Sequence, residues 1–479
     1  MKVTKNSIRL HASAKGVITS FLFLPGSNRI GNVIKRVEDL TEDEAEATLL
    51  KVMKDFTNRH RNIENTFLNH FNRINNQYKD DLLLFSPKKK LLLGAFFTKE
   101  YSIQAAALFN PSIVSHPDQK GLQSGEQRFI MSLRATGEGH ISSIVFKTGV
   151  VDDHANITLD DASGYLTSLK KNEEAEYTKD FIQERISIYP EFSMDLLDIL
   201  PDTFTATRAI QHMNESEWAG AESTSGSVKQ FEEILDSNYE LESSAHLPIN
   251  EKVIFPNAKA ERMGMEDVRF VHFRDGENSC YYGSYTAYDG FHIKSQLIET
   301  RDFNVFKIRT MYGSAVSDKG MALFPEKVHG KFVMISRQGG ETINIMFSDD
   351  LYFWDRFQLL MEPKYTWEML QLGNCGSPIK TEKGWLLLTH GVGAMRTYVI
   401  SAILLDLNDP RIIIGRLDRP IIEADESERE GYVPNVVYTC GLLRHCDLII
   451  IPYAVSDSAT GFVTIELQEL LSAFNTSTS

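Results

Sequence analysis

The chain has 479 residues, of which 42% are apolar and 24% are charged, and this composition predicts a globular protein with room for two domains or one large one. The formal charge of −15 argues against a nucleic acid or an anionic membrane as the main partner. The four cysteines form no Cys-x-x-Cys pair, so they predict reduced thiols rather than a zinc site. We see neither a secretory signal nor an apolar run of roughly 18 residues, and we therefore expect a cytoplasmic protein.

Residues 1–80 are predicted to form a short strand at Val17–Leu24 and then a long helix. The sequence Thr41-Glu42-Asp43-Glu44 has the pattern of a capping box at the start of that helix. From Leu49 to Tyr78, apolar residues recur at three- and four-residue steps, which places them on one stripe. Such a stripe typically serves packing or subunit contact, and we expect a homo-oligomer.

The rest of the chain is predicted to be a β domain with an insertion. Residues 81–164 should form its first strands, residues 165–250 a helical insertion rich in Glu, Lys and Gln, and residues 251–479 the remaining strands. Within the insertion, the segment Ala219–Ser227 is rich in Gly and Ser and predicts a mobile loop between helices.

Strands with a similar aromatic or aliphatic core recur through the β-rich part of the chain. They are Arg128–Arg134, Cys280–Tyr285, Lys331–Arg337, Gly384–His390 and Asp447–Tyr453. From the second strand onward the step is about 50 to 60 residues, which is typical of a propeller blade of four strands. The fold class predicted is mainly β, a five-bladed β-propeller. A β-sandwich is the weaker alternative, because sandwiches rarely repeat equivalent strands at so long a period.

One segment, Glu266-Asp267-Val268-Arg269, places two carboxylates and an arginine ahead of the aromatic strand Cys280–Tyr285. This combination suits a sugar site, because a carboxylate can act as an acid or accept a hydroxyl hydrogen bond and an aromatic face can pack on a pyranose ring. Tyr285 is a candidate for that stacking contact. The alternative is structural: an Asp that accepts backbone hydrogen bonds at the start of a strand, with Arg269 as its partner.

Several short motifs occur together in a characteristic order. They are Asn110-Pro111-Ser112-Ile113, Glu266-Asp267-Val268-Arg269, Lys319-Gly320-Met321-Ala322-Leu323-Phe324-Pro325-Glu326, Ser348-Asp349-Asp350-Leu351, Gly376-Ser377-Pro378-Ile379-Lys380-Thr381, Thr389-His390-Gly391 and Pro434-Asn435-Val436-Val437-Tyr438. The ordered set resembles glycoside hydrolase family 130. The resemblance covers Asn110 to the C-terminus without the helical insertion.

The resemblance implies a propeller whose central cavity binds a β-mannoside and cleaves it with inversion, without a metal or an organic cofactor. It implies that Asp267 is the proton donor, acting through a sugar hydroxyl. It also implies sugar contacts for Asn110 and Asp457, with Glu266 and Arg269 assisting. The structural alternatives are an Asx turn for Asn110 and a turn carboxylate for Asp457.

Phosphate is the expected co-substrate if the reaction is phosphorolysis. Arg134, Lys319 and Arg337 flank equivalent strands, so they could converge on phosphate, and Arg134 could also bind sugar hydroxyls. His390, at a strand end, could bond phosphate or sugar. The alternatives are salt bridges with neighbouring acids for the three cations and a packed imidazole for His390.

Two features bear on the choice between phosphate and water as the nucleophile. Ser336 precedes Arg337 where phosphorylases of the family often have His, which favours water, whereas Arg134 and Lys319 favour phosphate. Water would also need a general base, for which Glu326 is a candidate only by residue type and position. Glu341 is a second candidate for that base on the same grounds. We predict inverting phosphorolysis of β-manno-oligosaccharides to mannose 1-phosphate. The alternatives are an inverting β-mannosidase and a noncatalytic sugar-binding or scaffold propeller.

Overall fold

The computed structural model of the chain describes residues 1–78, 82–186, 189, 191–215 and 222–476. The fold is mainly β, and four sheets hold most of its strands. Within the described residues, no helix is both long enough and apolar enough to cross a membrane.

The largest sheet has twelve strands and contains two antiparallel sets of four. The first set comprises Ala107–Ser115, Gln127–Thr136, Ser142–Val151 and Ile157–Leu159. The second set comprises Gly264–Asp275, Asn278–Tyr288, Ile293–Thr300 and Val305–Thr310. The remaining strands of this sheet are Thr167–Ser168, Lys170–Lys171, Glu240–Glu242 and Lys252–Ile254. A parallel contact between Gly264 and Ser142 joins the two sets.

Three further sheets follow along the chain. The four-stranded sheet comprises Ala322–Leu323, Phe332–Ser336, Ile343–Ser348 and Phe357–Met361. The next sheet comprises Gln371–Asn374, Ile379–Lys380, Trp385–Val392, Tyr398–Leu405, Ile413–Arg416 and Asn475–Thr476. The final sheet comprises Val3–Lys5, Leu10–His11, Val437–Tyr438, Leu443–His445, Leu448–Val455 and Ala459–Glu466. A strand lies at each of the five positions that the sequence repeat predicts.

The final sheet contacts the first set of strands, so the two ends of the β region meet. The Leu108 N–H donates to the Ser458 carbonyl oxygen over 3.3 Å, and the Cys440 N–H donates to the Pro111 carbonyl oxygen over 2.8 Å. The N-terminal strand also joins the final sheet, with Val3 opposite Ile465 in an antiparallel pair.

The N-terminal region agrees with the prediction at the start of one helix and differs from it in the number and lengths of its elements. The capping box is confirmed, because the Thr41 side chain accepts from the Glu44 N–H and the Glu44 carboxylate accepts from the Thr41 N–H. The single long helix is divided into Glu42–Phe56 and Ile63–Tyr78. Asn62 has a φ of 52°, a left-handed conformation that a right-handed helix cannot continue through. Two further helices, Ser27–Glu38 and Pro87–Phe96, pack beside them, and the predicted strand is Val17–Phe21, paired with Thr98–Ser102.

Along the chain, a second group of helices lies between the two strand sets of the large sheet. Its members are Lys179–Ile186, Asp195–Asp198, Ala206–Glu215 and Glu222–Ser237, with a small strand pair of Glu176–Thr178 and Thr203–Thr205. The loop predicted at Ala219–Ser227 is wrong for residues 222–227, which begin a helix, and its first three residues lie outside the described part. Phe231 and Leu235 of that helix are buried in a local core, and this packing outweighs the low helix propensity of Gly and Ser. A last helix, Leu467–Ala473, follows the final sheet.

Candidate active site

Two bulged strands bring the first candidate residues together. Strand Ala107–Ser115 loses its regular pairing between Phe109 and Ser112, and strand Gly264–Asp275 does so between Glu266 and Arg269. A bulge tolerates the proline of Asn110-Pro111, because no ladder hydrogen bond is required of it. Asn110 and Asp267 both adopt a positive φ, of 49° and 56°, and this turns the two side chains towards each other.

Asp267 lies at the centre of a polar cluster. Its Oδ1 accepts a 2.6 Å hydrogen bond from Asn110 Nδ2 and lies 3.2 Å from Arg134 Nη1. Arg269, which is 3% exposed, donates to the Asp267 carbonyl oxygen over 2.8 Å and to the Tyr438 hydroxyl over 2.6 Å. Two sequence-predicted residues, Asn110 and Arg134, therefore contact the carboxylate that was predicted to be catalytic, and a third, Arg269, contacts the main chain of the same residue.

Glu266 connects this centre to Lys319. Its two oxygens accept from Arg134 Nη2 over 2.8 Å and from Lys319 Nζ over 2.6 Å. The salt-bridge alternative from the sequence is thus observed for Arg134 and Lys319. Because both partners lie in the same cluster, these ion pairs also fix the two cations beside Asp267.

Asp267 and Asp457 hold their protons differently. Burial raises the pKa of Asp267, but the charges of Arg134 and Arg269, the Asn110 hydrogen bond and Lys319 outweigh burial and hold it below its usual value. Burial and the negative charge of Asp267 raise the pKa of Asp457 to about 7, against an opposing effect of Arg134 and Arg396. Near neutral pH, Asp267 is therefore ionised and Asp457 is close to half protonated.

Arg337 and His390 form a second part of the site. Arg337 Nη1 lies 3.5 Å from His390 Nε2, and Arg337 Nη2 lies 3.7 Å from Asp318 Oδ1. Burial, followed by the charges of Arg337 and Arg269, lowers the pKa of His390 well below its usual value, so its imidazole is neutral. The His390 ring also packs edge-on against Tyr438, which bonds Arg269, and this links the two parts of the site.

Two residues named from the sequence lie elsewhere. Tyr285 is 2% exposed, and its hydroxyl donates to Glu261 over 2.5 Å in the core, so the stacking contact expected of it is not part of the site. The reason is its strand: Tyr285 is on the face that packs inward among apolar residues. Glu326 pairs with Lys380 over 2.5 Å and lines a separate cavity of about 420 Å³, outside the cluster around Asp267.

Three residues of the cluster were not singled out from the sequence. Tyr438 and Asn374 are buried beside Arg269 and Arg337, and Arg396 lies close enough to act on the charge of Asp457. Tyr438 stands within a motif that the sequence did show, whereas Asn374 and Arg396 carry no signal apart from being next to such motifs.

A group of side chains that could hold a metal ion is, among the described residues, Asp152, Asp153 and His154. Asp152 accepts from the backbone N–H groups of His154 and Asn156, which is the hydrogen bonding of a turn. These residues are not part of the cluster around Asp267.

Comparison with known proteins places the β region in one family. The sequence profile of glycoside hydrolase family 130, described as beta-1,4-mannooligosaccharide phosphorylase, matches residues 226–476. A 1,2-beta-oligomannan phosphorylase of a Thermoanaerobacter species is 35% identical over 227 residues, which are 46% of this chain and 75% of that protein. A beta-1,2-mannobiose phosphorylase of Listeria innocua is 31% identical over 234 residues, which are 47% of this chain and 64% of that protein.

Among solved structures, the beta-1,2-mannobiose phosphorylase from Listeria innocua in complex with beta-1,2-mannobiose gives a TM-score of 0.47 at 21% identity, covering 77% of this chain and 92% of that one. The sequence profile covers more than half of the chain, and the Thermoanaerobacter relative is matched over three quarters of its length. The chain belongs to glycoside hydrolase family 130.

Proposed function

We propose that this protein is an inverting phosphorylase of β-mannosides, which cleaves manno-oligosaccharides with inorganic phosphate to release mannose 1-phosphate. The family and the names of the related phosphorylases support the substrate class. The environment of Arg337 is the observation that favours phosphate over water as the nucleophile. Its side chain is 13% exposed, and its nearest acid, Asp318, is 3.7 Å away. Its Nε is buried and has no hydrogen-bond partner among the described residues. A buried, incompletely paired guanidinium suits an anionic co-substrate.

In this proposal, a phosphate oxygen attacks the anomeric carbon as the glycosidic bond breaks on the opposite face of the ring. The bond from the anomeric carbon to the leaving oxygen is replaced by a bond to the phosphate oxygen, and the leaving oxygen gains a proton. Lys319, Arg337 and His390 hold the phosphate, and Arg134 contacts phosphate and sugar. Asn110, Glu266, Arg269 and Asp457 contact or position the sugar.

We assign proton donation to Asp267, through a sugar hydroxyl. The free protein keeps this carboxylate ionised, so donation requires that bound substrates raise its pKa. A phosphate anion near Lys319 and Arg134 has that effect, because it offsets two of the positive charges that lower the pKa. The negative charge of Asp267 also contributes to the raised pKa of Asp457, so a second carboxyl of the site keeps its proton up to about pH 7.

We also infer that the strand sets form the five blades of a propeller. The two sets of the large sheet and the three following sheets make five units in chain order, and the last unit hydrogen-bonds to the first. Residues 81–164 and 251–479 would form the blades, and residues 165–250 would form an insertion between them.

We propose that residues 1–80 mediate homo-oligomerisation, because Leu50 and Leu68 are exposed on their helices. Gel filtration of a Leu50→Glu variant tests this proposal.

The proposed activity is tested by incubating the protein with β-1,2- and β-1,4-mannobiose, with and without phosphate. We expect mannose 1-phosphate only when phosphate is present, and an Asp267→Asn variant should lose at least about 10²-fold in kcat because the proton donor is gone. Asp275→Asn is the matched control, since Asp275 lies in the same strand but is exposed and pairs with Lys327.

Free mannose formed at the same rate without phosphate would instead establish hydrolysis. The absence of either product from both disaccharides would refute the proposed substrate class. An Asp267→Asn variant as active as the Asp275→Asn control would refute the assignment of the proton donor.

A further inference from the structure

Gly320, in the part of the site that contains Arg337, has no side chain, and the space that a Cβ would take there is bordered by two polar atoms. Gly320 has a φ of 89°, and a Cβ added to it would lie 3.5 Å from Asn374 Oδ1 and 4.0 Å from Arg337 Nε. Both atoms are buried, and neither has a hydrogen-bond partner in the part of the chain that the structure describes. A buried acceptor and a buried donor therefore face the same small space.

The orientation of Asn374 defines what this space can bind. Asn374 is 1% exposed, and its Nδ2 donates to the Gly376 carbonyl oxygen over 3.4 Å, so its Oδ1 is the atom left without a partner. An amide oxygen only accepts hydrogen bonds, and a guanidinium Nε only donates. A group that satisfies both must donate one hydrogen bond and accept another.

The neighbouring side chains indicate an anion. Lys319 precedes Gly320 in the chain, and Gly373, next to Asn374, pairs across the sheet with His390. A Cβ at Gly373 would lie 2.4 Å from the His390 ring and 3.0 Å from the Arg337 side chain, so both groups pack against the backbone next to Asn374. The site therefore offers positive charge together with one acceptor that needs a proton.

We propose that Asn374 is a specificity-determining residue that recognises the protonated oxygen of inorganic phosphate. A P–OH group donates to Asn374 Oδ1, and an ionised oxygen of the same phosphate accepts from Arg337 Nε. This inference rests on the proposed phosphorolysis. Sulfate has the same shape and charge but carries no proton near neutral pH, so it would place a lone pair against Asn374 Oδ1. Asn374 thus excludes sulfate, whereas Arg337 attracts both anions.

The test compares the KM for phosphate with the inhibition constant of sulfate, measured by mannose 1-phosphate formation. In the unchanged protein, sulfate should bind at least about tenfold more weakly than phosphate, since it leaves a buried acceptor unpaired. Asn374→Ala should weaken phosphate binding about tenfold and leave sulfate binding unchanged or tighter, so that the preference for phosphate disappears. If Asn374→Ala weakened the binding of both anions equally, the role of Asn374 would be merely structural, and the proposal would be overturned.

Two further variants separate recognition from folding. Asn374→Asp retains an acceptor at the same place, so it should keep the preference for phosphate over sulfate, with binding that weakens as the pH rises and phosphate loses its proton. Loss of the preference in Asn374→Asp would count against the proposal. Ser377→Ala is the matched control, because Ser377 is also buried and unpartnered within the described residues but lines the separate cavity instead. It should leave both constants unchanged.

Calorimetric titration of the free protein with phosphate and with sulfate distinguishes this inference from the proposed function. If no mannose 1-phosphate forms from any oligosaccharide, the proposed function fails, but tighter binding of phosphate than of sulfate that is lost in Asn374→Ala still supports the role of Asn374. Equal binding of the two anions, or binding of neither, overturns it. If the product forms and sulfate inhibits as strongly as phosphate binds, the function stands and the role of Asn374 is refuted.

Discussion

Asp267 and Asp457 are both partly buried carboxyls of one site, yet their surroundings differ. Asp267 has a hydrogen bond from Asn110 and a contact with Arg134, whereas no hydrogen bond or ion pair is recorded for the Asp457 side chain within the described residues. The pKa of Asp457 is accordingly raised to about 7, and that of Asp267 is lowered. A pair of carboxyls whose pKa values are pushed apart is a typical arrangement for acid and base roles.

The raised pKa of Asp457 predicts a pH-dependent cost in stability. The folded protein binds the Asp457 proton up to about pH 7, whereas an unfolded Asp releases it near pH ~3.9, so the free energy of unfolding falls as the pH rises between these values. Asn cannot ionise, and Asp457→Asn should therefore raise the Tm at pH 8 by several degrees and by less at pH 5. Thermal denaturation across this range measures the effect.

The control for this experiment is Asp275→Asn, an exposed aspartate in an ion pair with Lys327. It should show little change in Tm at either pH, because exposed ion pairs contribute little to stability. A Tm difference for Asp457→Asn that is the same at pH 5 and pH 8 would contradict the ionisation argument. Since Asp457 is also a proposed sugar contact, its Asn variant should lose activity while gaining stability.

At the scale of elements, the site depends on two matched bulges. The Phe270 N–H donates to Ser112 Oγ over 2.9 Å, so the two bulged strands are fixed to each other two residues beyond Asn110 and three residues beyond Asp267. Each bulge holds a non-glycine residue in the left-handed region, which costs backbone energy at the position that carries the chemistry.

Two substitutions of Asn110 separate its side chain from its backbone. Asn110→Gly removes the hydrogen bond to Asp267 but suits a φ of 49°, whereas Asn110→Ala removes the bond and also keeps the strain. Both should lower kcat for phosphorolysis by a similar factor. Asn110→Ala should be less stable than Asn110→Gly by about 1–2 kcal/mol in chemical denaturation. Equal stability of the two variants would show that the left-handed backbone at Asn110 is not strained.

The strands could be predicted from the sequence more fully than the helices and the site. The repeated strands carry continuous apolar runs, as in Trp385–Val392, whose eight residues are all buried. The break between the first two long helices depends on the backbone of Asn62, which the apolar stripe does not reveal. Tyr285 could not be assigned from its spacing, because its side chain pairs with Glu261, which comes 24 residues earlier.

The same limit applies to the site. Asp267 and Arg269 could be predicted because they stand in one short motif, and a single bulge explains their geometry. Asn374 could not, because its significance comes from its position beside Gly320 and from the unpaired Nε of Arg337. Those residues come from three separate segments, and only folding brings them together.

At the scale of the whole molecule, the N-terminal strand is joined to the final sheet. Lys5 Nζ lies 2.7 Å from Glu428, whose side chain is 2% exposed, and Arg9 Nη2 lies 2.9 Å from the same carboxylate. Tyr453 also donates to Glu428 over 2.5 Å. The N-terminal strand thus supplies both a ladder partner for Val463 and a cation for a buried acid.

Removing residues 1–6 should therefore destabilise the β region without changing the chemistry. The loss of Lys5 leaves Glu428 with less compensation for its buried charge, and the loss of the strand exposes the ladder groups of Ala459–Glu466. We expect a loss of about 2–4 kcal/mol in the free energy of unfolding, measured by chemical denaturation. Lys5→Met, which keeps the strand, should lose less, and Lys15→Met, an exposed lysine, should lose almost nothing. Below the unfolding transition, kcat/KM should be unchanged in all three variants, because residues 1–6 make no recorded contact with the cluster around Asp267. A truncated protein as stable as the full chain would show that the N-terminal strand does not hold the final sheet in place.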